Sequence, residues 1–171
     1  MFKVGIGYDV HRLVRGRRLI LGGSHIPFKK GLLAHSDGDV LTHALCDALL
    51  GAAGLADIGV HFPNSDKRYK GISSLKLLEE VNRKLSKAGY RVGNVDSVLL
   101  MDVPKINRFR RRIIGNLSSV LKIQPEAVSL KATTNEGVGS IGSKAIAGYA
   151  VALLVRRSPK TKRRKAKGKG V

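Results

Sequence analysis

The segment 39–54, DVLTHALCDALLGAAG, constrains this chain more than any other. Leu41, Ala44, Leu45, Ala48, Leu49 and Ala52 recur with the 3.6-residue period of an amphipathic helix. Gly54 is a natural stop. A helix with such an apolar face needs a layer to pack on, and the flanking segments supply strands. Residues 2–10 and 91–102 read as strands, 18–28 as a hairpin about Gly22-Gly23, and 127–133 and 145–155 as two further strands. A second helix is expected over about 73–88, with Leu75, Leu78, Val81 and Leu85 inward. A third is expected from Pro104 to about Leu121, proline being tolerated in a first turn. Residues 29–38 and 55–72 read as loops. This alternation predicts one α/β (α+β) domain over 1–157, a mixed sheet with helices packed on one side. Residues 158–171 are basic and of low complexity, and read as a disordered tail.

Several classes drop out. No apolar run is long enough for a membrane span, so no membrane partner is expected. The opening MFKVGIGYDVHRL is broken by Asp9, His11 and Arg12 and does not read as a signal peptide. The single cysteine, Cys46, excludes a disulfide framework and a cysteine-based zinc site. Set among apolar helix residues, it reads as core. A reducing cytoplasm is the expected compartment. The chain is strongly basic, with 32 Lys and Arg against 12 Asp and Glu. Nine of the cations fall in 156–171, and Lys105, Arg108, Arg110, Arg111 and Arg112 form a second cluster. Such a surface attracts nucleic acid, anionic lipid or phosphorylated small molecules.

Three constellations could carry chemistry. Asp9 and His11 are two apart on a predicted strand, so a carboxylate and an imidazole share one side. Alone, the pair is a weak signal, and a solvated loop pair is much the commoner origin of such a short motif. Asp39, His43 and Asp47 are spaced four apart and share a helix face away from the leucines. That stripe makes His43 a candidate metal ligand flanked by carboxylates that would fix its tautomer. Two histidines and an aspartate form a normal zinc set with an open fourth position. The competing reading gives Asp37 and Asp39 to the helix start as cap and dipole partners. Finally, KATTNEGVGSIG at 131–142 places Thr133, Thr134 and Glu136 beside three glycines. It suits an anion-binding loop whose acid could hold Mg2+, or an ordinary glycine-rich turn. His25 and His61 read as structural.

Together, GYDVHRL (7–13), KGLLAHSDGDVLTHALCDALLGAAGLADIG (30–59), FPNSD (62–66), GNVDSVLL (93–100), Pro104-Lys105 and KATTNEG (131–137) closely resemble the 2-C-methyl-D-erythritol 2,4-cyclodiphosphate synthases. The resemblance spans about residues 2–155. It implies a lyase of the non-mevalonate isoprenoid route that cyclises 4-diphosphocytidyl-2-C-methyl-D-erythritol 2-phosphate and releases CMP. It implies Zn2+, or another divalent metal, on Asp9, His11 and His43, and Mg2+ or Mn2+ near Glu136 on the substrate diphosphate. It places Asp57 and Gly59 on the ribose, Lys105 by the cytosine, and Thr133 and Thr134 on the phosphates. His35 and Ser36 fall on the methylerythritol phosphate, and Phe62 joins the substrate contacts. It also implies a cyclic homotrimer with each site between two subunits.

The sequence departs from the family pattern at Asn64, where an acid is common, at Ser140, and at Ser143-Lys144-Ala145, which shorten the loop before the last strand. Two other functions remain open at this level. One is a zinc-stabilised nucleic-acid-binding protein using the tail, which would give weak, salt-dependent binding. The other is a metal-dependent phosphoester hydrolase.

Overall fold

The computed structural model describes residues 1–157, so the predicted tail lies outside the described residues. A 14-residue strand, β1 (Phe2–Arg15), opens the chain. The strands β2 (Leu19–Leu21) and β3 (Ser24–Ile26) form the expected hairpin. Both turn residues, Gly22 and Gly23, have positive φ, the conformation a tight two-residue turn requires. Then follow β4 (Lys30–Leu32), α1 (Val40–Ala53), α2 (Ile58–His61), α3 (Ser74–Lys87), β5 (Tyr90–Leu100), α4 (Arg110–Leu121), β6 (Val128–Thr133) and β7 (Ala145–Arg156).

Five strands make one mixed sheet in the order β4-β1-β7-β5-β6. The β5–β6 pair is parallel and the other pairs are antiparallel. Helix α1 is capped by Asp39, whose side chain accepts from the Thr42 N–H, and ends at left-handed Gly54. It lies unusually close to the sheet. A Cβ on Gly5 or Gly7 of β1 would run into the Ala48 or Ala44 carbonyl. Leu41, Leu45 and Leu49 then meet Leu78, Val81 and Leu85 of α3 and Ile113 and Leu117 of α4 in a single core. Cys46 is fully buried within it, and burial pushes its thiol pKa well up.

Among the described residues, no helix covers the other sheet face. Phe2, Val4, Ile6, Tyr8 and Val10 of β1 and Tyr149 and Val151 of β7 are exposed there, Ile6 at 69%. Helices on one side of a mixed sheet therefore match the expected architecture. Among the described residues no helix is long and apolar enough to cross a membrane.

Four local expectations need correction. The first strand runs on to Arg15 because β4, hidden in a predicted loop, pairs Leu32 with Leu13 and Lys30 with Arg15. The 55–72 loop contains α2 and a 3-10 turn, Lys67–Tyr69. The third helix begins at Arg110, not at Pro104. The Met101 and Asp102 N–H groups still pair with the Thr133 and Gly142 carbonyls, and the first helical turn closes only from Phe109 N–H to Ile106 O. In α3, Leu77 takes the buried place expected of Leu75, because Leu75 instead covers the Gly23 turn.

Candidate active site

Residues 5, 7, 9 and 11 of β1 lie on its helix-covered side, so Asp9 and His11 continue the row begun by Gly5 and Gly7. Because the two glycines let α1 settle on the strand, His43 reaches the same point. His11 Nε2 and His43 Nδ1 lie 2.9 and 3.0 Å from Asp9 Oδ2, and the two ring nitrogens are 3.0 Å apart. A tetrahedral zinc ion with bonds of about 2.0–2.1 Å sets its ligand atoms ~3.3 Å apart, so this triangle is a near fit. Among the described residues it is the one His/Cys/Asp/Glu group with metal-binding proximity.

The electrostatics favour a cation at the same point. Burial works to raise the Asp9 carboxyl pKa, but hydrogen bonds and charge from His11 and His43 outweigh it and hold it well below the usual range. Burial works to lower the His43 pKa, but its hydrogen bond to Asp9 and the charges of Asp9, Asp39 and Asp37 reverse this and raise it.

His43 is oriented from behind by Ser36 and by Ser74, the second of which the sequence did not signal. Its Nε2 lies 2.9 Å from Ser74 Oγ and 3.1 Å from Ser36 Oγ. The Ser74 hydroxyl donates to Asp37 Oδ1, so it accepts from the Nε2–H; with Nε2 held this way, Nδ1 is the nitrogen that would give its lone pair to a metal ion beside Asp9. Asp37 also accepts from the Ser74 N–H, capping α3. The carboxylates expected to fix His43 do other work. Asp47 accepts from the Ile58 N–H at 2.7 Å and holds α2. Asp39 is fully buried and ties the hairpin to α1. It accepts from the Gly22 and Gly23 N–H groups and from the Thr42 N–H and hydroxyl. The capping alternative is therefore right for Asp39 but not for Asp37, which instead accepts from the first N–H of α3. We expect Asp39→Asn to lower stability by about 2–3 kcal/mol, because an amide N–H2 would face donors where only acceptors fit. A urea titration at fixed protein concentration measures it.

The triangle forms one wall of a cavity of about 340 Å³ that also gathers His35, Ser36, Gly59 and Phe62. Among the described residues, the buried His35 Nε2 has no hydrogen-bond partner, so it is a polar atom available to a ligand. Asp47, Ile58, Asn64, Tyr69, Ile72 and Leu77 also line it. Of these, Tyr69, Ile72 and Leu77 had no sequence signal as site residues, because they come from the segment read as loop and from α3. Asp57 does not line the cavity. It is exposed beside Gly59, where its side chain caps α2 through the Val60 N–H. Lys105, Thr133 and Thr134 line a different hollow, also about 340 Å³, with Asn107. Glu136 stands next to it, accepting from the Thr134 hydroxyl. The expected site residues thus fall into two groups that a single chain does not bring together. His61 is structural, its Nε2 paired with the Leu55 carbonyl.

Residues 2–155 match the YgbB family model. The chain is 58% identical over 153 residues to the 2-C-methyl-D-erythritol 2,4-cyclodiphosphate synthase of Pelotomaculum thermopropionicum, covering 89% of this chain and 94% of that one. It is 48% identical over 167 residues to the enzyme of that name from Desulfosudis oleivorans, covering 97% and 99%. A solved 2C-methyl-D-erythritol-2,4-cyclodiphosphate synthase superposes with a TM-score of 0.84 at 40% identity, over 90% of this chain and 100% of that one. The Plasmodium falciparum IspF–CDP complex superposes with a TM-score of 0.80 at 37% identity, over 92% and 97%. With collinear motifs, a metal-sized Asp-His-His triangle and this degree of identity, the chain belongs to the YgbB family of 2-C-methyl-D-erythritol 2,4-cyclodiphosphate synthases.

Proposed function

We propose that the chain converts 4-diphosphocytidyl-2-C-methyl-D-erythritol 2-phosphate to 2-C-methyl-D-erythritol 2,4-cyclodiphosphate and CMP, in sites each completed by two chains of a cyclic homotrimer. The observation that carries this reading is the Asp9–His11–His43 triangle on the wall of a ligand-sized cavity. A relative solved in a CDP-bound form supports a cytidine nucleotide as the ligand class.

The substrate supplies its own nucleophile. An oxygen of its 2-phosphate bonds to the β-phosphorus, the bond from that phosphorus to the bridging oxygen breaks, and CMP leaves with the electron pair. The protein needs no serine or cysteine nucleophile, and its one thiol is buried. Its task is positioning and neutralising charge. Zn2+, or another divalent ion, on Asp9, His11 and His43 would act as a Lewis acid toward a phosphate oxygen. The unpartnered His35 and the Ser36 hydroxyl suit the methylerythritol phosphate, with Phe62 against the ligand. Asp57, which caps α2, and Gly59 within it suit the ribose. Lys105 suits the cytosine side, Thr133 and Thr134 the phosphates, and Glu136 the Mg2+ or Mn2+ that accompanies a diphosphate. A reducing cytoplasm suits the single buried thiol.

The bare sheet face supports the trimer. Ile6 pairs in register with Val151 and Tyr8 with Tyr149, so the exposed apolar residues form one contiguous patch, which an isolated soluble chain rarely keeps. Three copies joined through this face would bring one chain's triangle to the next chain's Thr133–Glu136 segment. We expect Ile6→Asp with Val151→Asp to yield folded monomers that release no CMP, as read by sedimentation and nucleotide chromatography.

Incubation of the purified protein with substrate and divalent metal tests the reaction itself. Equimolar CMP and a cyclic diphosphate, identified by phosphorus NMR, are expected. CMP with an uncyclised bisphosphate would instead make the protein a hydrolase.

A further inference from the structure

Arg17 is a half-buried cation with no carboxylate in ion-pair distance among the described residues. Its guanidinium donates instead to a neutral group, the Ser36 carbonyl, at 2.7 Å. The base of the side chain is fixed from two sides. Gly16 turns the chain out of β1 with positive φ. β4 crosses so close to the next two residues that a Cβ on Gly31 would strike the Arg17 and Arg18 carbonyls. A donor anchored in this way holds its acceptor in one place.

Ser36 is only 7% exposed and belongs to a wall between two hollows. On one side is the cavity of the Asp9–His11–His43 triangle. On the other is an outer hollow of about 600 Å³ that Arg17 and Arg18 line. The groups flanking the Ser36 carbonyl are engaged: His35 O accepts from the Gly71 N–H at 2.9 Å, and the Asp37 N–H donates to Ile72 O at 3.0 Å. Among the described residues, Arg17 is the one donor to the Ser36 carbonyl itself. Stripped of it, a buried carbonyl turns to find another partner, and the side chain turns with it. The hydroxyl shows what is lost. Ser36 Oγ accepts from the Gly38 N–H at 3.3 Å and from the His43 Nε2–H, 3.1 Å away, which it shares with Ser74. With both acceptor positions taken, its own proton has no acceptor among the described residues and is left for the cavity.

We propose that Arg17 is a positioning residue for the cyclisation. From outside the cavity it locks the Ser36 peptide, so that the Ser36 O–H meets a phosphate oxygen of the substrate while Oγ steadies the His43 ring. The phosphate's identity rests on the cyclase reading; the coupling of Arg17 to Ser36 and His43 does not.

The test is a double-mutant cycle on Arg17→Ala and Ser36→Ala in the full chain, read by CMP release and by zinc affinity in competition with a chelating dye. Arg17→Ala is expected to lower kcat/KM by about 100-fold, the cost of a small misplacement next to the reacting atoms. Zinc affinity should fall by about 10-fold, the lower end for an outer partner of a metal ligand, since Ser74 remains. In the Ser36→Ala background the same substitution should cost about 2-fold or less, because no hydroxyl is left to misplace. Millimolar, non-denaturing guanidinium should enter the outer hollow and restore part of the activity of Arg17→Ala, but none to Ser36→Ala. Arg17→Lys, with a cationic donor on a different stem, should fall between parent and Arg17→Ala. If Arg17→Ala does not fold, Arg17→Gln completes the cycle. Costs that simply add in the double variant would make Arg17 a structural residue of the β1–β2 turn and overturn the proposal. So would parental kcat/KM and zinc affinity in a folded Arg17→Ala. A parent that releases no CMP would sink the cyclase reading instead, and the zinc cycle would still decide whether Arg17 acts through Ser36.

Discussion

Replacing His43 with alanine is expected to strip the bound metal and to cut CMP release by more than ~100-fold, beyond the ~10–100-fold typical of a metal ligand's outer partners. His43 supplies one corner of a triangle whose sides are all about 3 Å. Two remaining donors cannot hold the ion in a tetrahedral site. The side chain is only 12% exposed, but it borders a cavity, so truncation enlarges space already open to solvent and the fold should survive. Elemental analysis and sedimentation of the same sample separate the outcomes. A folded variant that keeps its full complement of metal would remove His43 from the ligand set. Ser74→Ala grades the effect. The Ser74 hydroxyl only fixes the ring's tautomer, so that variant should lose ~10–100-fold in metal affinity and regain CMP release when metal is added in excess.

Two inactive proteins are expected to recover activity when mixed. His43→Ala destroys the metal half-site and Glu136→Ala the phosphate half-site, and each should be inactive alone. In the closed ring proposed above, each chain's metal half-site would face its neighbour's other half-site. If the two variants assemble at random in equal amounts, a given interface is intact when the chain on each side carries its mutation on the far side. That happens for about a quarter of sites, so co-refolded mixtures should recover about a quarter of parental turnover. Mixed trimers, verified by mass, that stay as inactive as their parents would place both half-sites within one chain.

The fold was legible wherever its cause is local. Helix α1 announces itself through the spacing of Leu41, Leu45 and Leu49, its Asp39 cap and Gly54. The hairpin follows from Gly22-Gly23. What was not legible depends on distant partners. β4 is three residues whose strand character exists only because Leu13–Arg15 lie beside them. The helix after Pro104 starts late because the preceding backbone is still engaged by Thr133 and Gly142. The site shows the same division. Asp9 and His11 were visible as a strand pair, and His43 through its helix face. The roles given to Asp39 and Asp47 were wrong because spacing reveals which residues share a face, not what lies over it. The hairpin glycines and the α2 backbone claim those two carboxylates. Ser74, far from His43 in sequence, gave no signal.

The bare contact of Gly5 and Gly7 with α1 has a consequence for how this protein can change. Most enzymes separate catalytic groups from the core by loops that absorb small shifts, but here the helix-to-strand spacing is itself one dimension of the metal cage. Enlarging Ala44 or Ala48 to improve packing would lift His43 away from Asp9. Routes to greater thermostability that fill the α1–sheet layer are therefore closed to this scaffold. Stabilising changes will accumulate in α3 and α4 instead, so drift across this fold should be slowest along the seam between helix and strand.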